Sequence, residues 1–156
     1  MSLIHKKFGV QEIFRRKNTI ICLIDNIKTD FIKHNYPFIK PPIQEEGIRF
    51  LSKEDIAAMK IHAIIQSGKR LKPACPAGRD FIDIYYLLEH LSMNDMIAFF
   101  EKKYAYSNPM IALKAVNFFD DIDEKMDPPK MKKPLSLNEI KKRIQTATKK
   151  PQLIFK

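Results

Sequence analysis

Three Ser-x-x-acid segments mark where this chain turns helical. They begin at Ser52, Ser92 and Ser136, and in each of them an acidic residue stands three positions after the serine. In such a capping box the serine side chain accepts a backbone hydrogen bond from the first helical turn, and the acidic side chain bonds back to the serine N–H. Each segment therefore predicts the start of a helix. Asn108 before Pro109 predicts another helix, because proline is favoured at the first helical position.

The residues before Ser52 carry the marks of strands. Thr19–Ile24 is apolar and β-branched, Asp25 and Asn26 form a turn signal, and Ile27–His34 continues in an extended pattern. Two such runs around a short turn predict a β-hairpin.

Two further strands and a proline-rich connection complete the part that precedes the helices. Gly9–Arg16 is predicted as a third strand and Ile48–Leu51 as a short one, while prolines exclude regular structure between residues 36 and 43. Strands followed by helices predict an α+β fold, with a small antiparallel sheet before a helical C-terminal half. The predicted divisions are a partial sheet over 1–51, a helical region over 52–128 and a basic tail with a last helix over 129–156.

The formal net charge of +10 lies mostly at the C-terminal end. From Lys130 onward there are nine basic residues and one acid, Glu139, whereas the rest of the chain is nearly balanced. A basic tail can gather nucleic-acid phosphates without sequence specificity. It can equally be a solvated, lysine-rich end that aids solubility, and the sequence leaves both interpretations open.

Composition indicates a chain that folds around a hydrophobic core. It also indicates a protein of a reducing compartment. Hydrophobic residues make up 45% of the sequence, more than a disordered chain carries. Cys22 and Cys75 show no metal-ligand spacing, which suits a reducing cytoplasm. No apolar run reaches the roughly 18 residues of a membrane span, so no membrane partner is predicted. The four glycines form no phosphate loop, which excludes P-loop and Rossmann sites.

Lys60 and Asp83 each stand alone in an apolar helical run, over residues 56–65 and 81–88. Residues four apart stack on one helical face, so Lys60 is predicted to point where its apolar neighbours point. Lysine and aspartate are almost never fully buried unless they are paired. The two charges therefore either pair with each other in a structural salt bridge, or meet a charged ligand such as a phosphate or a metal ion.

Three further residues are candidates with ordinary explanations beside them. Asp30, late in a predicted hairpin strand, could ligate Mg²⁺ or could be an outward-facing polar residue. Arg79 and Asp80 begin the predicted helix of Asp83, which runs from about residue 79 to 90. Arg79 could bind phosphate through two parallel hydrogen bonds or pair with a surface acid. Asp80 complements the helix dipole, which is a sufficient structural reason for its position.

Two segments together resemble the AbiEii/AbiGii toxin family of nucleotidyltransferases: Ser52–Lys60 and Arg79–Leu88. Ile27–Ile32 resembles the strand motif that precedes them in the family, and residues 37–51 resemble the connecting segment. The likeness covers roughly residues 8 to 145. Each helical segment alone is a weak signal, and the combination is more specific. Members have the nucleotidyltransferase fold and are often the toxin half of bacterial toxin–antitoxin or phage-defence pairs.

The resemblance implies roles for the candidate residues. Lys60 and Arg79 would bind the nucleoside triphosphate, Asp83 would be a catalytic acid, Asp30 would be a carboxylate ligand of Mg²⁺, and Asp80 is a secondary candidate. The implied reaction is attack of a hydroxyl on the α-phosphate with pyrophosphate leaving, and an RNA such as tRNA is one kind of acceptor. Metal ions clamp the attacking and leaving oxygens in such reactions, while a fixed lysine adds electrostatic stabilisation.

The chain departs from the family pattern before Asp30. Members carry a Gly-Ser or Gly-Gly segment followed by an Asp-x-Asp pair, which supplies the main metal ligands. The 29 residues before Asp30 hold one glycine, Gly9, and no such pair. We therefore expect a chain that corresponds to the C-terminal portion of a member and is incomplete as an enzyme, with the segment lost, omitted or supplied by another chain.

Alternatives to the enzyme stay open at this point. A non-catalytic nucleic-acid-binding module derived from the same fold predicts that Lys60 and Asp83 are paired and sealed inside, whereas the enzyme predicts that they line an open pocket. An interaction subunit predicts an exposed sheet edge, which invites pairing with another chain or a homodimer. The resemblance also implies a cognate antitoxin as a partner.

Overall fold

A computed structural model describes residues 9–67, 78–105, 107–120, 122 and 131–156. Within these residues five strands precede five helices, which confirms the predicted α+β fold with a small antiparallel sheet. The chain divides into two compact units, Met1–Tyr36 and Pro37–Lys156. The predicted boundaries at residues 51 and 128 separate a sheet, a helical region and a basic tail. Compact units do not test that division, which stays a prediction.

The first unit is a three-stranded antiparallel sheet in the order β1-β2-β3, formed by Val10–Arg16, Thr19–Ile24 and Ile27–Ile32. The β2–β3 hairpin was predicted, and its two turn residues, Asp25 and Asn26, both have positive φ angles, of 49° and 65°. Such a turn matches the right-handed twist of the strands that it joins. The third strand, β1, is likewise confirmed.

The second unit begins with a short hairpin, β4 (Ile43–Glu45) and β5 (Ile48–Phe50). The sequence predicted β5 but not β4, since the prolines up to Pro42 hid a strand that starts directly after them. Its turn places Glu46 and Gly47 at positive φ, 49° and 79°.

Five helices follow: α1 (Lys53–Ser67), α2 (Arg79–Leu87), α3 (Met93–Lys103), α4 (Pro109–Val116) and α5 (Leu137–Lys149). Helices α3 and α5 begin with complete capping boxes at Ser92 and Ser136, as predicted. At Ser52 the serine oxygen likewise accepts the N–H of Asp55, at 3.2 Å. The connection predicted over residues 69–78 lies outside the described residues except for Gly78.

The core of the second unit forms around α1, which packs against α2, α3 and α4. Helix α5 packs against α2 and buries Ile140, Ile144 and Ala147. The chain beyond α5 is also held, because the N–H of Phe155 donates to the carbonyl of Leu88 at 2.9 Å. The lysine-rich C-terminal end therefore contributes one apolar face to the core. Among the described residues, no helix has the length and apolar character needed to cross a membrane.

A buried ion pair joins the start of α1 to the end of α3. Lys103 Nζ lies 2.6 Å from Asp55 Oδ1, and both side chains are almost completely excluded from solvent. Lys103 also donates to the carbonyl of Pro37 at 2.9 Å, while Asp55 accepts the backbone N–H groups of Ile39 and Lys40. Charges removed from water need this degree of hydrogen bonding to offset their lost hydration. The pair thus fastens residues 37–40 to two helices.

The environment of Asp55 shifts its titration. Burial alone would raise the pKa of Asp55, but the hydrogen bonds from Lys103 and from the backbone N–H groups of Ile39 and Lys40 outweigh it. The pKa of Asp55 therefore lies below its ordinary value. A carboxylate of this kind stabilises the fold at pH values above the ordinary aspartate pKa, and that stabilisation is lost as the pH falls through the folded-state pKa.

Replacing Asp55 by asparagine is expected to lower the free energy of unfolding by about 3–5 kcal/mol, because it leaves the Lys103 ammonium buried opposite a neutral side chain. Urea unfolding followed by far-UV circular dichroism measures the change. The difference from the unmodified protein should shrink as the pH falls below about 3.9, where an ordinary aspartate becomes protonated.

Glu101→Gln is the matched control, since it removes a carboxylate from an exposed position of the same helix as Lys103. It should change the free energy of unfolding by no more than about 0.5 kcal/mol. Equal effects of the two substitutions would show that the buried pair does not hold the fold.

Candidate functional site

Lys60 lies on α1 at the border between its buried and its accessible faces. Ala57 and Ile61, on either side of it in the sequence, are completely buried, whereas the Lys60 side chain is 31% exposed. The predicted direction of Lys60, alongside the apolar residues of α1, is therefore only partly realised. Its aliphatic stem lies beside the core while its ammonium reaches the surface, as is usual for lysine.

Two carboxylates of α2 hold that ammonium. Lys60 Nζ is 2.9 Å from Asp80 Oδ1 and 2.5 Å from Asp83 Oδ2. Residues three apart on a helix lie on the same face, so one lysine of the neighbouring helix can meet both. We call Lys60, Asp80 and Asp83 the lysine cluster. One lysine and two aspartates give it one excess negative formal charge.

The start of α2 depends on a glycine that positions Asp80. Gly78 precedes the helix with a φ of 57°, a conformation that residues with a side chain rarely adopt. A Cβ atom at this position would lie 3.2 Å from the side chain of Ile122. Both the backbone angle and the close approach thus favour glycine directly before Arg79 and Asp80.

The lysine cluster borders a surface cavity of about 330 Å³. Lys60 and Asp83 line it together with five further residues of α1, α2 and the turn after α2: Ile56, Tyr86, Leu87, Glu89 and His90. Tyr86 is 43% exposed. Glu89 is held by Arg143 of α5, whose Nη1 donates to Glu89 Oε1 at 2.8 Å. The cavity thus combines one ammonium, carboxylates and an accessible aromatic ring.

Electrostatics keeps Lys60 charged. Burial alone would lower the pKa of Lys60, but hydrogen bonds to Asp83 and Asp80, together with their negative charges, raise it above its ordinary value. A lysine with a raised pKa is a permanent cation at physiological pH. It can therefore bind an anion, but it cannot serve as a proton acceptor.

Two other predicted site residues, Arg79 and Asp30, do not line this cavity. Arg79 is exposed at the first position of α2, and it does not line the cavity. Asp30 is exposed on β3 in the first unit, where its backbone pairs with Ile21 of β2. Its proposed role as a metal ligand stays a prediction. Our interpretation of the sequence explained Asp80 mainly by the helix dipole. Its spacing of three from Asp83 already indicated that the two side chains share a helical face.

The described residues do not fit the divalent metal that the sequence resemblance implies. Both carboxylates of the lysine cluster are bonded to an ammonium, which competes with a cation for the same oxygens. In the described parts of the chain, no group of three or more His, Cys, Asp or Glu side chains could hold a metal ion. We therefore assign no metal ligand within the lysine cluster.

Asp83→Asn is expected to lower the pKa of Lys60, because it removes the carboxylate that lies nearest to the ammonium. A fall of one pKa unit increases the free amine about tenfold, so acylation of Lys60 by acetic anhydride should accelerate by up to that factor at mildly alkaline pH. Peptide mass spectrometry measures this rate, with the exposed Lys53 of the same helix as the internal reference. An unchanged ratio of the two rates would mean that the lysine cluster does not form in solution.

Comparisons with known proteins show the family of the chain. The profile of a family described as nucleotidyl transferase AbiEii toxin, of a type IV toxin–antitoxin system, matches residues 21–151. An uncharacterized protein of Aquifex aeolicus (strain VF5) is 29% identical over 127 residues. That match covers 79% of this chain and 58% of the relative, so the chain spans well under two thirds of the relative's length. No solved structure matches the chain. Because the family profile covers most of its residues, the chain belongs to the AbiEii nucleotidyl transferase toxin family.

Proposed function

We propose that this chain contributes the phosphate-binding lysine of a nucleotidyltransferase toxin, with Lys60 binding the phosphates of a nucleoside triphosphate. The observation that carries the proposal is the place of Lys60: a lysine with a raised pKa, held at the wall of an accessible cavity instead of being sealed in the core. Membership of the AbiEii family supports the choice of a nucleotide as the ligand.

Phosphate binding requires Lys60 to exchange a carboxylate partner for a phosphate oxygen. Asp83 is the partner that can leave, since its side chain is 43% exposed and can turn into solvent, whereas that of Asp80 is 23% exposed. Ion pairs of accessible side chains contribute little to stability, so the exchange costs little. A phosphate oxygen then offers Lys60 an equally strong charge-assisted hydrogen bond.

The rest of the cavity suits the nucleoside. Ile56 and Leu87 give it apolar walls, and Tyr86 offers an accessible aromatic ring on which a base can stack. A volume of about 330 Å³ lies at the lower end of the range for small-molecule sites. It therefore suits one nucleoside better than an extended ligand.

In the proposed reaction an acceptor hydroxyl attacks the α-phosphate and pyrophosphate leaves. Lys60 stabilises the negative charge that builds up on the phosphate oxygens, which is the main service of a fixed cation in phosphoryl chemistry. Asp83, which lines the same cavity, is the proposed catalytic acid once Lys60 has released it. We further propose that the acceptor is an RNA, that a cognate antitoxin restrains the toxin, and that the described residues alone do not complete the catalytic site.

A non-catalytic module is the alternative, and one observation favours it. Lys60 has two carboxylate partners within the chain itself, as expected for a structural ion pair. That hypothesis predicted a pair sealed inside, whereas this pair borders a cavity. Binding of a triphosphate that depends on Lys60 separates the two hypotheses. The homodimer expected from a sheet edge stays a prediction.

Nucleoside triphosphates are expected to raise the thermal unfolding midpoint of the chain, and Lys60→Ala should abolish the rise because it removes the phosphate-binding cation. Differential scanning calorimetry with each of the four triphosphates measures the effect and identifies the preferred base. Inorganic pyrophosphate should compete, since the proposal places the phosphates on Lys60.

Lys53→Ala is the matched control, because it removes an exposed lysine from the first turn of the same helix. It should leave the response to triphosphate unchanged. Transfer of label from the bound triphosphate to total tRNA tests the reaction separately. A chain that no triphosphate stabilises, or a Lys60→Ala variant that responds as fully as the unmodified protein, would refute the proposed function.

A further inference from the structure

A second cavity, of about 720 Å³, lies at the end of the three-stranded sheet where β1 turns into β2. Four of its lining side chains are cationic, namely Arg15, Arg16, Lys17 and Lys33, and none of the lining residues is acidic. This surface, which we call the sheet-end groove, is separate in the chain from the residues of the lysine cluster. Its residues are also distant in sequence from the basic C-terminal end.

The sheet brings these four cations together. In the antiparallel register Arg16 stands opposite Thr19, and Thr19 stands opposite Ile32. The N–H of Lys33 donates to the carbonyl of Asn18 at 2.8 Å, which fixes the end of β3 beside the β1–β2 turn. Arg15 shares one face of the sheet with Phe31, and Arg16 shares the opposite face with Ile32. Basic residues that lie about sixteen positions apart in the sequence therefore meet around the end of the sheet, where they line one groove.

Acidic neighbours neutralise only part of this charge. Glu12 forms an exposed ion pair with Arg15. Asp30 lies on the same strand and the same face as Ile32, but further from the end of the sheet. Its side chain does not line the groove. No ion pair in the described part of the chain involves Arg16, Lys17 or Lys33. Three cations are thus available to a ligand.

The groove also presents an accessible aromatic ring among its charges. Phe31 lines it and is 40% exposed, while the neighbouring Ile32 is 65% exposed. The guanidinium of Arg16 lies 5.1 Å from the centre of the Phe14 ring. Cations for a phosphate backbone beside an exposed aromatic ring are the combination by which proteins bind single-stranded nucleic acid.

We propose that the sheet-end groove binds single-stranded nucleic acid, with Arg16, Lys17 and Lys33 on the phosphates and a base stacked on Phe31. The inference deepens the proposed function by giving a contact surface for the RNA acceptor, and in that respect it rests on that function. Its test is nevertheless independent, because strand binding is measured without any triphosphate. Loss of the Lys60 function would leave it unchanged.

The test measures binding of the full chain to a fluorescently labelled RNA of about fifteen nucleotides by anisotropy, from about 50 to 200 mM salt. The triple variant Arg16→Gln, Lys17→Gln, Lys33→Gln is expected to bind at least tenfold more weakly. The slope of log affinity against log salt should fall in magnitude by about 2, since each single-strand phosphate contact contributes about 0.7. Phe31→Leu, which keeps an apolar side chain but removes the ring, should weaken binding about fivefold.

A second triple variant carries the same loss of charge on α5 and just after it: Lys142→Gln, Lys149→Gln and Lys150→Gln. It should weaken binding less than threefold, and circular dichroism checks that all variants stay folded. An equal or larger loss in this control would show that charge alone, and not the groove, collects the strand. The inference would also fail if Phe31→Leu binds like the unmodified chain, or if a duplex of the same length binds more tightly.

A DNA strand of the same length shows whether the ribose contributes to binding. Equal affinity for DNA and RNA supports recognition of backbone and bases, and a preference for RNA adds a sugar contact.

Discussion

The buried ion pair between Asp55 and Lys103 is the interaction on which the second unit depends. It closes the first turn of α1 against the last turn of α3, and it binds the backbone of residues 37–40 to both helices. The boundary between the two compact units falls at Pro37, where these bonds begin. Such a pair contributes less through net attraction than through the cost of leaving either charge alone in the core. It therefore specifies one arrangement of α1 and α3, and with it the position of Lys60, which follows Asp55 by about one and a half turns of α1.

The same two residue types form the lysine cluster, and burial gives them a different role there. Lys103 is closed off from solvent and hydrogen-bonded to Asp55 and a carbonyl, so it has no capacity for a ligand. Lys60 stays about one third exposed beside two carboxylates that water can also solvate. Pairs of that kind exchange partners at little cost. The difference between a structural and a ligand-binding lysine in this chain is thus one of solvent access.

Most of the fold could be predicted from the sequence, because its signals are local. Each of these signals acts within a few residues: the capping boxes at Ser92 and Ser136, the proline at the start of α4, and the Asp25-Asn26 turn. Strand β4 was missed because the prolines before it masked the start of a three-residue strand. At the site, the isolation of Lys60 and Asp83 in apolar runs predicted correctly that each has a charged partner. Asp55 and Lys103 were not recognised as a pair, since they lie 48 positions apart and the capping role of Asp55 explained it sufficiently.

The sequence by itself determined the class of fold, the starts of the helices and the family. Local hydrogen bonding and hydrophobic periodicity depend only on residues that are close in the sequence. Only the tertiary structure decided which charges meet, and how much water reaches them. It gave Lys60 both Asp80 and Asp83 as partners, sealed Lys103 against Asp55, and gathered Arg16, Lys17 and Lys33 at one end of a sheet. The physical reason is that the behaviour of a charged side chain is set by its solvation and by the opposite charges around it, and both depend on elements that are distant in the chain.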